Sequence, residues 1–108
     1  MLRIAIVEDN DTDREIITDA LGRFETEENE HFSITEFHDA MDFLEQRKMD
    51  FQMVFMDIQM PVMDGYDATA RIRRMKDEEK ASIPIIAMTA NAFAEDRQKA
   101  ISTGMNDH

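Results

Sequence analysis

The sequence predicts an α/β domain built as a doubly wound parallel sheet with helices on both faces. Three observations carry that prediction. Short aliphatic runs alternate with longer amphipathic stretches, in the order expected of repeated strand–helix units. The third run is uniformly apolar, as in a strand covered on both sides. Acidic or hydroxyl side chains follow the runs directly, at the sheet edge where such folds gather their chemistry.

Met1 to Val7 (MLRIAIV) is short, aliphatic and ends in charge, so it reads as a buried strand. From Asn10 to Phe24, the residues Ile16, Ile17, Ala20, Leu21 and Phe24 fall on one helical face. Thr12 with Glu15 fits a capping box at the start of that helix. The polar run from Glu25 to His31 reads as a loop. Phe32 to Phe37 forms a second strand, and Ala40, Phe43 and Leu44 mark a short helix capped by Asp39.

Met53 to Met56 (MVFM) is the third strand. Gly65, Ala68, Ile72 and Met75 give the inner face of a third helix. Ile83 to Met88 (IPIIAM) is a fourth strand that tolerates Pro84 near its beginning. Ala92 to Thr103 is a fourth helix, closed by Gly104 in the left-handed conformation with Met105 packing back.

Composition narrows the function. The 24 acidic residues outweigh 12 basic ones, a net charge of −12 that repels phosphate backbones and argues against direct nucleic-acid contact by this segment. There is no Cys, which excludes disulfides, thiol catalysis and Cys-ligated zinc. No apolar run approaches the roughly 18 residues of a membrane span, and a cytoplasmic location is expected. At 43% hydrophobic the chain has the material for one folded domain over residues 1–108. Core filling is the expected role of most of its 10 Met residues. His31 and His38 read as solvated, as does the basic run Arg71, Arg73, Arg74 and Lys76.

The first strand ends in Glu8 and Asp9, the third in Asp57 and the fourth in Thr89, so three carboxylates and a hydroxyl are expected at one rim. Singly, each has a plain structural reading: Asp9 as a helix cap, Asp57 as a turn former, Thr89 as a loop hydroxyl. Together they describe a site. Crowded carboxylates repel one another unless a cation binds, and Mg²⁺ suits oxygen ligands that must also receive a phosphate. Asp57 could then attack phosphorus, with Thr89 donating to a phosphoryl oxygen.

The segments IVEDN (residues 6–10), FMDIQMPVMDGYDATARIR (55–73) and IIAMTANAFAEDRQKA (85–100) resemble a response-regulator receiver domain. The resemblance implies a flavodoxin-like fold with strand order 2-1-3-4-5. It makes Asp57 the phosphoacceptor, and Glu8, Asp9, Asp57 and the backbone carbonyl of Gln59 the Mg²⁺ ligands. Thr89 matches the switch hydroxyl, Ala90 the small residue beside the phosphoryl group, and His108 the mobile position that reports the state of Thr89. Pro61 and Gly65 match the turn and helix start after the phosphorylation site, while Gln59 and Asn91 match positions that tune dephosphorylation.

Receivers carry a Lys at the end of a fifth strand, followed by a fifth helix. This sequence reaches His108 before that Lys, so a domain incomplete at its C-terminus is expected, with Ile85 and Ala87 left uncovered and a second copy as one partner.

The implied function is a two-component phosphorelay domain. It takes phosphate from the phosphohistidine of a sensor kinase or phosphotransfer protein and switches an output domain that is not in this chain. It catalyses only its own phosphotransfer and dephosphorylation. A dehalogenase-like phosphatase would carry a second Asp two residues after the nucleophile, where this chain has Gln59. Nucleotide-binding glycine motifs are also missing. A non-phosphorylated interaction domain is the remaining alternative, favoured by the missing Lys and opposed by the intact carboxylates and Thr89. The opening half resembles receivers joined to LytTR-class DNA-binding domains, whereas Asp64 to His108 resembles those of hybrid sensor kinases.

Overall fold

A computed structural model describes residues 1–46, 50–60, 63–88 and 94–107. Its elements run β1 (Leu2–Val7), α1 (Asp11–Glu28), β2 (Phe32–Phe37), α2 (Ala40–Leu44), β3 (Met53–Asp57), α3 (Gly65–Arg73), α4 (Glu78–Ala81), β4 (Ile85–Met88) and α5 (Ala94–Ser102). The strands form one sheet in the order β2-β1-β3-β4, with every pairing parallel. Doubly wound topology is therefore observed as expected.

Alternation along each strand sorts the two faces. Ala5, Val7, Val54, Met56, Ile85 and Ala87 point to one side, where they form the main core with Ala40 and Phe43 of α2, Ala68 and Ile72 of α3, and Ala100 of α5. Phe43 meets the rings of Phe37 and Phe51 at 5.3 and 6.1 Å. Met56, Met60, Met63 and Met105 are buried in this core, as flexible fillers should be. His31 and His38 are exposed, in keeping with solvated side chains.

The opposite face carries Ile4 and Ile6, both buried, and α1 lies on this side with Phe24 stacked on Phe32 at 5.9 Å. Ile85 and Ala87, expected to be uncovered, are buried in the main core. Strand alternation instead leaves Phe55, Ile86 and Met88 half-buried on the α1 side. Beyond β4, Asn106 N–H donates to Ile85 O at 2.7 Å and Asp107 O accepts from Ala87 N–H at 2.9 Å. One parallel bridge, Ile86 to Asp107, thus occupies the lane of a fifth strand.

Helix α1 corrects the sequence reading in three ways. Its cap is Asn10, whose Oδ1 accepts from Asp13 N–H at 3.0 Å, and not Thr12. It runs four residues further than expected, through Glu28, because Asn29 takes the left-handed conformation (φ 53°) that ends it. Its sheet-facing side is Arg14, Ile17, Thr18, Leu21, Gly22 and Glu25, whereas Ile16 (59% exposed) and Ala20 turn outward and Phe24, 49% exposed, reaches the sheet only at its margin, on Phe32. Thr18 Oγ1 donates to Glu36 Oε1 at 2.9 Å, and Glu25 Oε2 accepts from Phe32 N–H at 2.9 Å, so polar contacts with β2 set the helix's rotation.

Further along, β4 begins at Ile85 rather than Ile83, although Pro84 still contributes its carbonyl to Val54 N–H at 2.8 Å. The short α4 was not expected. Gly104 (φ 111°) closes α5 as foreseen, with Gly104 N–H on Ile101 O and Met105 N–H on Ala100 O, and Met105 is buried. Arg73, expected in solvent, is half-buried, and its guanidinium bonds four acceptors.

Candidate functional site

Strand order reverses direction between β1 and β3, which opens a crevice beyond their carboxyl ends. The ladder pairs Val7 with Met56, so the next residues, Glu8 and Asp57, emerge side by side. Asp9 follows in the turn to α1. Carboxylate oxygens of Glu8, Asp9 and Asp57 lie within 4.8 Å of one another. Glu8 and Asp57 are only 5% and 7% exposed, while Asp9 faces solvent.

Backbone donors hold these groups. Gln59 N–H donates to Asp57 Oδ1 at 3.0 Å, and Asn10 N–H donates to Glu8 Oε1 at 3.2 Å. The Glu8 backbone joins β2 through Phe37 O at 3.1 Å. Helix α3 approaches from below, capped by Asp64, whose Oδ1 accepts from Asp67 N–H at 2.9 Å. Gly65 starts that helix because nothing larger fits: a Cβ there would sit 2.4 Å from Asp57 O and 2.9 Å from Ile58 Cα.

Electrostatics reflect the crowding. Burial is the largest influence on Glu8, followed by its hydrogen bond with Asp57, and together they push its carboxyl up to about 8. Burial also raises Asp57. Two buried carboxyls that resist ionisation mark a position prepared for positive charge. The donors are all oxygen, which fits a hard divalent cation.

Arg14 was not foreseen. It is buried, it donates from Nη1 to the Glu8 carbonyl at 2.8 Å, and it pairs with Asp11. Among the described residues its ion pair is with Asp11 and not with any of the three clustered carboxylates. Arg14 therefore braces the β1–α1 turn without neutralising the cluster. A lone cation among Asp11, Asp13 and Glu15 was the available signal. Of the other expected site residues, Gln59 lies beside Asp57 with its side chain exposed. Pro61, Thr89, Ala90, Asn91 and His108 lie outside the described residues.

Comparison with known proteins supplies the family. Residues 4–108 match the response regulator receiver domain. Hybrid signal transduction histidine kinase I of Dictyostelium discoideum is 33% identical over 98% of this chain, which covers 6% of that protein. The sensor histidine kinase RcsC of Escherichia coli is 32% identical over 97% of the chain and is covered to 10%. The chain thus spans a tenth or less of these curated relatives. Among solved structures, the receiver domain of a Pseudomonas aeruginosa sensor histidine kinase, with magnesium coordinated in its active-site cleft, is 33% identical. It superposes with a TM-score of 0.75, covering 98% of this chain and 81% of that one. A family match along nearly the whole length, together with a shared fold, places this chain in the response regulator receiver domain family of two-component signalling.

Proposed function

We propose that this chain is a phosphoacceptor domain in which Asp57 receives a phosphoryl group from a phosphohistidine. The reading rests above all on one observation: three carboxylates from two adjacent strand ends converge within 4.8 Å. Such a cluster is unfavourable without a cation and useful with one. Glu8, Asp9 and Asp57, with the Gln59 carbonyl, would hold Mg²⁺. When bound, the ion supplies charge neutralisation that lets an anionic phosphoryl group approach the carboxylates.

The residues of the chain do the rest. The Gln59 N–H on Oδ1 orients Asp57. An Asp57 carboxylate oxygen forms a bond to phosphorus as the P–N bond of phosphohistidine breaks, and the imidazole leaves with the electron pair and takes up a proton. Thr89 acts as the switch hydroxyl and His108 follows it; Ala90 leaves room for the phosphoryl group, and Gln59 and Asn91 tune its hydrolysis. The donor is a sensor histidine kinase or phosphotransfer protein in the cytoplasm, in keeping with relatives that are hybrid and sensor histidine kinases. No described helix is long and apolar enough to cross a membrane. The domain catalyses its own phosphorylation state and turns over no other substrate.

Incubation with a small phosphodonor and Mg²⁺, followed by intact-mass and peptide analysis, tests this. One acid-stable, base-labile phosphoryl adduct is expected at Asp57. Asp57→Asn should abolish it, whereas Asp64→Asn, which keeps the α3 cap, should not. An adduct on another residue, or one that survives Asp57→Asn, overturns the assignment.

A further inference from the structure

Arg73 ends α3 and reaches across three separate segments. Its Nε donates to Gly104 O at 2.8 Å, and Nη1 donates to Ala81 O and Ile83 O at 2.8 and 2.7 Å. Nη2 donates to Asn106 Oδ1 at 2.8 Å. One guanidinium thus joins the end of α4, the entry to β4 and the turn after α5. Asn106 extends the knot, since its Oδ1 also accepts from Ile85 N–H at 2.8 Å and its own N–H donates to Ile85 O at 2.7 Å.

The surroundings are shaped to this side chain. Gly104 has a φ of 111°, and a Cβ there would sit 2.9 Å from Arg73 Cγ, so glycine serves both the helix stop and the passage of the arginine. Burial lowers the Arg73 pKa, as expected of a cation withdrawn from water onto carbonyl dipoles. Only a planar fork of several N–H donors can meet acceptors in these directions at once; the single ammonium of Lys cannot.

The clamp acts on one end of α5. That helix follows β4, whose last residue, Met88, pairs with Asp57. Its other end is tied through Gly104 to Arg73. Along its length Lys99 Nζ lies 4.6 Å from the Tyr66 ring centroid, a second tie to α3. A nine-residue helix is a rod of about 13 Å, too short and stiff to absorb a displacement by bending. Two of the guanidinium's charge-assisted bonds, to Gly104 O and Asn106 Oδ1, hold one end of α5 to a side chain that the other two anchor on α4 and the entry to β4. Displacement at the far end therefore becomes rotation about the held one.

We propose that Arg73 is a positioning residue of the switch, making Gly104 the fixed point about which α5 responds to phosphorylation at Asp57. This rests on the phosphoacceptor reading above.

The test uses the full chain, with beryllofluoride and Mg²⁺ as the phosphoryl mimic, and follows backbone amides by NMR together with their hydrogen exchange. In the wild-type protein, beryllofluoride should shift Asp57, Gln59 and Met88 and leave Gly104, Met105 and Asn106 in place. In Arg73→Lys, the shifts should spread to those three residues, and their exchange protection should fall about tenfold, the loss expected for one charge-assisted bond. Asn106→Ala removes a single acceptor and should produce the same spread at lower amplitude, which keeps the test available if Arg73→Lys does not fold. The clamp is overturned if wild-type shifts already run through Gly104 to Asn106, or if the folded variants keep the wild-type pattern. No shift at Asp57 or Gln59 in the wild-type protein overturns the phosphoacceptor reading, and the switch falls with it.

Discussion

Glu8→Gln should make the metal-free protein more stable at alkaline pH and flatten its pH dependence. In the folded chain the Glu8 carboxyl is pushed up to about 8, chiefly by burial, while an unfolded Glu titrates near 4.5. Between those values the folded state holds one more proton than the unfolded state. Stability is therefore full below about pH 4.5, falls as pH rises, and levels off once Glu8 has ionised in the fold. The slope is about 1.4 kcal/mol per pH unit for one proton, which over this window gives a ceiling of about 5 kcal/mol. Water reaches the rim through exposed Asp9, and solvent screening reduces that figure; a loss of about 2 kcal/mol between pH 5.5 and 8.5 is expected.

Gln keeps the carbonyl that accepts the Asn10 N–H and the volume that fills the crevice, but it has no charge to desolvate. Urea unfolding in EDTA at several pH values would measure the difference between the two proteins, in which the carboxylates outside the cluster cancel. The variant should gain about 2 kcal/mol at pH 8.5 and little at pH 5.5. Added Mg²⁺ should reverse the order, because the cation competes with the proton and stabilises the wild-type protein more as pH rises through 8. Parallel stability curves for the two proteins without metal would refute the claim that Glu8 is a buried, strained carboxyl.

Two further outcomes follow from the packing around the site. Gly65→Ala should cost about 3 kcal/mol despite Ala's better helix propensity, since its Cβ meets the backbone of Asp57 and Ile58; a neutral or stabilising effect in thermal unfolding would contradict that close approach. Asn10→Ala should cost about 1 kcal/mol through loss of the α1 cap, while Thr12→Ala should stay within about 0.5 kcal/mol, and the reverse ranking would restore Thr12 as the cap.

What the sequence made legible was whatever depends on neighbours along the chain. MVFM and IIAM read as strands from their short, uniformly apolar runs, one face of which is fully buried, and the Asp after MVFM then falls at the sheet edge. The caps at Asp39 and Gly104 were legible for the same reason, each acting within a few residues of itself. Features that depend on distant polar partners were not. Thr18 on Glu36 and Glu25 on Phe32 help set the rotation of α1, so hydropathy, which placed Ile17 and Leu21 correctly, also pointed at Ile16 where the sheet receives polar side chains beside them. Arg73 read as solvated because its partners are backbone carbonyls and an amide 33 residues away.

The carboxylate cluster belongs to neither class, and its origin explains why it persists. Nothing local draws Glu8 and Asp57 together; their mutual repulsion opposes it. They meet because Ala5 and Val7 on β1, with Val54 and Met56 on β3, must all face the same core, which fixes the register Val7 to Met56. A slip of one residue would separate the carboxylates but would also turn β3's core side chains outward. Each buried aliphatic side chain contributes about 1.5–3 kcal/mol, so a few of them outweigh the repulsion within the cluster. The apolar core thus imposes the acidic site, and the strain stored there is what a bound cation can relieve.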